Sequence, residues 1–399
     1  MKKFYHFEKN TILNKKLSEL VSLSLNSLEE MYLPKTYEFA KRKFKIANEV
    51  KIDGKSLRYT LINLIGLQKA KEHGYEINID LNQIIEFHIR NVNKFKSLGD
   101  IGLLLWAASL ISPNSLLNIL PKINLVEIFA TYKESKTGNT MELSWFLIGL
   151  IFASTFNDKF KSSIDILPTK VYHKLRGNYG GHGIFKHENT SSLEGKIRSN
   201  IGTLADQIYS IYAFSLYSKI MVNEEALLIA NECADNLCRH QSIHGEWKWQ
   251  YDSSNGEVVN NYPIFPVHQL SLVPMALFSI QMSSKKEYFK NIFSSIEWLT
   301  ENDQIYDMVV DESNNAIWDK ITPIINNKLN SLLSFSGFNT FDNRKLKIHY
   351  ECSSYIFGLI LYIFSGRIDK TDKQISKNDI LVNTFQVFEL NHMNSKNNF

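Results

Sequence analysis

The chain has 399 residues, 44% of them hydrophobic, and 45 basic against 41 acidic side chains give a formal net charge of +4. That balance argues against the strong basic field of a nucleic-acid-binding surface, and no apolar run reaches the roughly 18–20 residues that span a bilayer. With only 8 prolines and 18 glycines and no low-complexity stretch, no linker is marked, and one main domain is expected.

Residues 1–50 read as an N-terminal helical extension, in which Lys41-Arg42-Lys43 with Lys45 forms a solvated basic face. The opening Phe4-Tyr5-His6-Phe7-Glu8 lacks the apolar stretch of a secretory signal, and three cysteines, Cys233, Cys238 and Cys352, suit a reducing compartment. A cytoplasmic location is therefore expected.

Across residues 51–366, six apolar runs each open on a short polar cluster. The openings are Ser56-Leu57-Arg58-Tyr59, Gly99-Asp100, Thr140-Met141-Glu142, Ala205-Asp206-Gln207-Ile208-Tyr209, Val267-His268-Gln269 and His349-Tyr350-Glu351-Cys352. Behind them Leu61 to Leu67, Ile101 to Ile111, Leu143 to Ala153, Ile208 to Tyr217, Leu270 to Ile280 and Tyr355 to Phe364 are too apolar for a surface helix. Arg58, Asp100, Glu142, Asp206, His268 and Glu351 mark intervals of 42, 42, 64, 62 and 83 residues. Each interval holds an inner helix, a loop and a returning outer helix, which is how a repeat architecture is read from sequence. The predicted fold is all-α: an (α/α)6 toroid of six helical hairpins around a central cavity, with inner helices starting near Ser56, Asp100, Thr140, Ala205, Val267 and Glu351. Residues 367–399 read as a polar C-terminal tail.

Between the fourth and fifth runs lies Gln241-Ser242-Ile243-His244-Gly245-Glu246-Trp247. Its Gln-x-x-x-Gly-x-Trp core resembles the turn motif of terpenoid cyclases, which implies that Gln241 caps helices and Trp247 packs on the next turn. The loops Gly180-Gly181-His182-Gly183 and Asn315-Ala316-Ile317-Trp318 follow the same logic. As a whole the chain resembles the toroid superfamily that includes six-hairpin glycosidases and terpenoid cyclases.

In such a ring the polar openings share one mouth. Asp206 there is either an acid/base catalyst or a helix cap, and the same holds for Glu142, whose Asn139 imitates a capping box. His268, behind Pro266, could move a proton near neutral pH. These three are the catalytic candidates. Arg58 could hold a substrate carboxylate or pair with Asp100 or Glu351. Tyr59, Asp100, Gln207, Tyr209, Gln269 and Glu351 complete the openings as binding candidates. His182 and His187 lie in the glycine-rich loop over the mouth, and His182 is taken as a binding residue. Glu246 and Asp252 flank Trp249 and Tyr251, and carboxylates beside aromatic faces suit a sugar ring; Tyr262 joins this set, while Asp252 also fits a tight turn.

No phosphate-loop, dinucleotide, nucleophile-elbow or zinc-protease motif occurs, nor an Asp-x-Asp-Asp or Asp-Asp-x-x-Asp run of the kind terpenoid cyclisation would be expected to need. The expectation is an intracellular enzyme with no cofactor and no metal, acting on a glycan or glycoconjugate, a small-molecule or oligosaccharide substrate, by hydrolysis, elimination or epimerisation. Cyclisation of an isoprenoid is the alternative, and a non-catalytic helical binding module a further one. No nucleic-acid partner and no membrane span are expected, and the oligomeric state is left open.

Overall fold

The computed structural model describes residues 11–47, 49–134, 139–187, 200–284, 286–301, 305, 307–324 and 346–368. Most of the tail from 367 onward thus lies outside the described residues. Helices in chain order are α1 (Thr11–Met31), α2 (Leu57–Glu72), α3 (Leu81–Arg90), α4 (Leu98–Ile111), α5 (Leu125–Glu134), α6 (Thr140–Phe156) and α7 (Asp158–Ile164). They continue with α8 (Leu167–Arg176), α9 (Leu204–Ile220), α10 (Glu224–His240), α11 (Val273–Ser283, entered through a π-helical turn at His268–Leu272), α12 (Phe289–Glu301) and α13 (Tyr355–Phe364).

The six apolar runs become α2, α4, α6, α9, α11 and α13, each buried nearly all round, from Leu61 to Leu67 in α2 and from Ile356 to Phe364 in α13. These six form the inner ring: α2 packs on α4, α4 on α6, α6 on α9, α9 on α11, and α13 bridges the π-turn ahead of α11 and α2. The remaining helices are amphipathic and lean on the ring from outside. In α3, for example, only Leu81, Ile84, Ile85, His88 and Ile89 are buried, the i, i+3, i+4 stripe of a surface helix. The chain is an (α/α) toroid.

Two glycine pairs set how closely inner helices approach. A Cβ on Gly149 in α6 would lie 2.1 Å from the Gly102 carbonyl oxygen in α4, and one on Gly66 in α2 would lie 1.9 Å from that of Gly358 in α13. Backbone touches backbone at both crossings. Farther along the ring axis, Trp106 of α4 stacks between Phe152 (5.4 Å) and Tyr212 (5.7 Å) and meets Tyr362 edge-on at 5.3 Å. The Tyr212 and Tyr362 hydroxyls share a 2.7 Å hydrogen bond, so these rings fill the axis below the helix starts.

Three departures from the sequence reading have physical causes. Residues Thr11–Met31 do not stand apart as an extension: α1 packs against α13 with Leu17, Val21 and Leu28 buried and serves as an outer helix of the ring. The basic run is a strand, Arg42–Ile46, paired with Glu49–Asp53 and Glu351–Ser353. Alternation explains it: Lys43 points inward and is bound by Glu30 (2.5 Å) and the Asn314 and Asn315 carbonyls, whereas Arg42 faces out. The sixth inner helix accordingly starts at Tyr355 and not near Glu351, because Glu351–Ser353 is claimed by that sheet.

Candidate functional site

Four inner helices open by one local rule. A hydroxyl or amide residue caps the helix, and its side-chain oxygen accepts the backbone N–H three positions on: Ser56 from Tyr59, Ser97 from Asp100, Asn139 from Glu142 and Thr203 from Asp206. Tyr59, Asp100, Glu142 and Asp206 therefore occupy equivalent first-turn positions. Because the inner helices run in one direction, those equivalent positions come together at one end of the ring.

Three of the openings are joined directly. The Arg58 guanidinium donates from Nε to Asp100 Oδ1 (2.7 Å) and from Nη2 to Ser97 Oγ (3.3 Å), and lies 3.6 Å from Glu142 Oε1. Ser97 Oγ–H in turn donates to Glu142 Oε1 at 2.8 Å. Arg58 also sits 4.9 Å from the centre of the Trp145 ring, whose edge meets buried Tyr209 at 5.2 Å. Of the pairings expected for Arg58, the one with Asp100 is present. Tyr59 packs on Tyr355 with ring centres 4.5 Å apart. Burial raises both hydroxyls above the usual phenol range.

Asp206 lies next along the ring, fully buried. Its Oδ2 accepts from Thr203 N–H (2.9 Å) and Thr203 Oγ1–H (2.6 Å), completing a reciprocal capping box. The same carboxylate takes the His187 Nδ1 at 2.9 Å and 3.1 Å on its two oxygens. The capping reading of Asp206 is thus realised, and the same carboxylate pairs with a histidine that is 41% exposed.

Several expected site residues have structural partners. Gln207 closes a two-way clamp on Phe185, accepting its N–H (2.7 Å) and donating to its carbonyl (2.7 Å); Gln269 accepts the Trp247 N–H at 3.1 Å. Both clamps span 22 residues, so they hold equivalent loops in successive repeats. His268 is buried against Trp249 (5.7 Å, nearly parallel) and Phe265, and burial pushes its imidazole down to about 3. Burial thus favours its neutral form. Tyr251 is wholly buried with its hydroxyl on the Lys248 carbonyl, and its strand position points it into the core. Asp252 accepts from Ser254 N–H and Oγ–H and organises the turn. Glu246 is buried and paired with Lys248 at 3.1 Å. Glu351 is exposed on the outer sheet, 3.0 Å from Arg42. His182 adopts a left-handed backbone (φ 55°) in an exposed loop, its carbonyl bound by Asn236. Half-buried Trp249 stacks on His268, and partly buried Tyr262 precedes a cis proline.

Gln241 does what the resemblance implies. Its amide donates to the Gly245 and Asn291 carbonyls and accepts from the Asn291 amide, tying the end of α10 to α12, while Trp247 is buried.

Sequence reasoning missed Ser97, Trp145, Tyr355 and Asp319. Ser97 carried a signal, since Ser-x-x-Asp before an apolar run is a capping pattern. Asp319 carried none. Its Oδ2 accepts from Ser353 N–H (3.2 Å) and Oγ–H (2.5 Å), and its buried Oδ1 has no hydrogen-bond partner among the described residues. Burial pushes this carboxyl up to about 6, and its charge is felt by the Tyr59 and Tyr355 hydroxyls. Among the described residues no group of three or more His, Cys, Asp or Glu side chains is placed to hold a metal ion, and no helix is long and apolar enough to cross a membrane.

No protein-family model matches this chain, and no curated protein matches it. Solved structures do. An unsaturated glucuronyl hydrolase specific for heparin superposes with a TM-score of 0.56 at 12% identity, covering 89% of this chain and 96% of its own. The unsaturated glucuronyl hydrolase of Bacillus sp. GL1 gives 0.54 at 12% identity over 88% and 94%. A possible member of the GH105 family from Klebsiella pneumoniae gives 0.56 at 10% identity over 92% and 98%. These likenesses run almost end to end and show a shared toroid fold.

Proposed function

We propose that this protein is an enzyme acting on a glycan or glycoconjugate at the mouth formed by its inner-helix starts. The observation that carries the reading is the convergence of Arg58, Asp100 and Glu142 from three successive hairpins, beside the Asp206–His187 pair of a fourth. Two partly exposed aromatic rings, Tyr59 and Tyr355, lie in the same place. Carboxylates to bind hydroxyls or move protons, next to rings that stack on C–H faces, are what a sugar requires. With Glu142 Oε1 engaged by Ser97, Oε2 is the oxygen left for a ligand or a water.

Two of the similar structures are hydrolases by name, which favours hydrolysis over elimination or epimerisation. The isoprenoid alternative is disfavoured by a mouth holding three carboxylates and a guanidinium, since desolvating those groups against a hydrocarbon would be costly. The three free cysteines accord with a cytoplasmic location.

The test is a mass-spectrometric screen of the purified protein against neutral, amino and uronate-containing oligosaccharides. Cleavage of one class is expected, with Glu142→Gln lowering kcat/KM by about 10²–10⁴-fold at unchanged Tm. Turnover of an isoprenoid diphosphate with no glycan cleaved would overturn the reading; the absence of any turnover, with ligand binding retained, would leave the helical binding module.

A further inference from the structure

We propose that Tyr59 and Tyr355 bind hydroxyl groups of an uncharged sugar unit, and that Asp319 is the specificity-determining residue that disfavours a uronate there. The substrate class of this mouth is then a neutral glycan, a proposal that rests on the glycan-acting reading above. The likeness to glucuronyl hydrolases shows the fold, and the choice of sugar falls to the residues of the site.

Two helix starts meet at the seam where the ring closes. Tyr59 stands in the first turn of α2, its N–H held by the Ser56 cap, and Tyr355 is the first residue of α13. Their rings pack with centres 4.5 Å apart at a tilt of 37°, and both residues are partly exposed. A side-chain hydrogen bond links Tyr59 to Ser353, whereas the Tyr355 hydroxyl has no hydrogen-bond partner among the described residues. Burial favours the neutral phenol at both, and a neutral phenol can donate to and accept from a sugar hydroxyl.

Asp319 supplies a charge that both hydroxyls feel. Its Oδ2 is held by the Ser353 N–H and Oγ–H, and its own N–H donates to the Glu351 carbonyl (2.7 Å), so the strand leading into α13 fixes the carboxyl. Its buried Oδ1 has no partner. The groups around this carboxyl are Ser353, Glu351, Cys352, Tyr59 and Tyr355, and none of them is a cation. Arg58 stands beside Tyr59, but Asp100 Oδ1 takes its Nε and Glu142 Oε1 lies 3.6 Å from its Nη2. A uronate carboxylate bound at the two tyrosines would therefore meet the Asp319 charge with a countercharge already shared by two other acids. A sugar hydroxyl brings no charge, and it both donates and accepts where a carboxylate only accepts. Like charge set beside like is how a site rejects the wrong ligand.

The experiment uses pairs of oligosaccharides in the gluco, galacto and manno series, each pair differing only at C6 of the terminal unit, a hexose or the matching hexuronate, at pH 7. KM is read for each, or Ki where the hexuronate is not cleaved. The unaltered protein should favour the hexose form by about tenfold or more. Asp319→Asn, which keeps an acceptor for Ser353, should bring the two forms to within about threefold of each other by tightening the hexuronate. Tyr355→Phe, which keeps the ring, should raise KM for the hexose form by about 3–10-fold at unchanged Tm. A purely structural role for Asp319 would move both constants together and leave their ratio alone. A preference for the hexuronate, a ratio unchanged in Asp319→Asn, or an unaltered KM in Tyr355→Phe overturns the proposal. If no glycan is bound or cleaved, the glycan reading fails and the neutral-sugar assignment with it; cleavage with the hexuronate preferred overturns that assignment alone.

Discussion

His268 and Asp319 are both buried, and burial acts on them in opposite directions because it penalises whichever form is charged. For His268 the folded-state value near 3 lies below that of an unfolded histidine, so the unfolded chain binds the extra proton. Stability is then kept above about pH 6.5 and lost as pH falls toward 3, by up to about 1.4 kcal/mol per pH unit. Denaturant melts at stepped pH should show this slope, and His268→Phe, which keeps a ring against Trp249, should flatten it. Asp319 has the reverse sign: its folded-state value near 6 lies above the unfolded one, so stability falls as pH rises from about 4 to 6. Asp319→Asn should therefore be more stable than the natural chain at pH 7, by roughly 2 kcal/mol, and no more stable at pH 4. At this scale sequence was half informative. Asp206 and Glu142 could be placed in the first turns of their helices because each opens an apolar run. That His268 is sealed behind Trp249, or that Asp319 is buried beside Ser353, depends on loops whose path no local pattern specifies.

The helices that build the ring were legible because burial on all sides leaves an unbroken apolar run that outer helices do not show. The sixth start was misplaced for a related reason: a three-residue edge strand has too little alternation to announce itself, and its polar residues passed for a helix opening. Between elements, the two glutamine clamps show how the repeat is maintained. Gln207→Ala should strand the buried N–H and carbonyl of Phe185 and cost about 1–3 kcal/mol, read as a lower denaturation midpoint. The same substitution at a ligand-binding residue would leave stability untouched and raise KM, so the two roles are separable. The helix crossings are less forgiving. Gly149→Ala puts a methyl against the Gly102 carbonyl and should destabilise by about 1–3 kcal/mol, since neither α4 nor α6 can retreat without opening a gap elsewhere in the ring.

At the level of the molecule, composition and spacing pointed to one toroid, but not to what completes it. The part of α1 lies in that gap: its stripe of Leu17, Val21 and Leu28 looks like any amphipathic helix until α13 is seen beneath it. Removing residues 1–31 should uncover that face and yield an aggregating protein, measurable by light scattering. The aromatic filling around Trp106 gives the ring a floor, so a ligand should enter and leave through the same mouth. The contact of Gly66 with Gly358 has a consequence in time. A nascent chain makes α2 early and α13 near the end of the described fold, and the seam between them cannot close until both are present. Pairs of hairpins can form during synthesis, but the long loop that the seam closes carries its entropy cost in a single late step. Closure of the ring should thus be a late and slow step of folding, with the inner faces of an open arc exposed until the last helix docks.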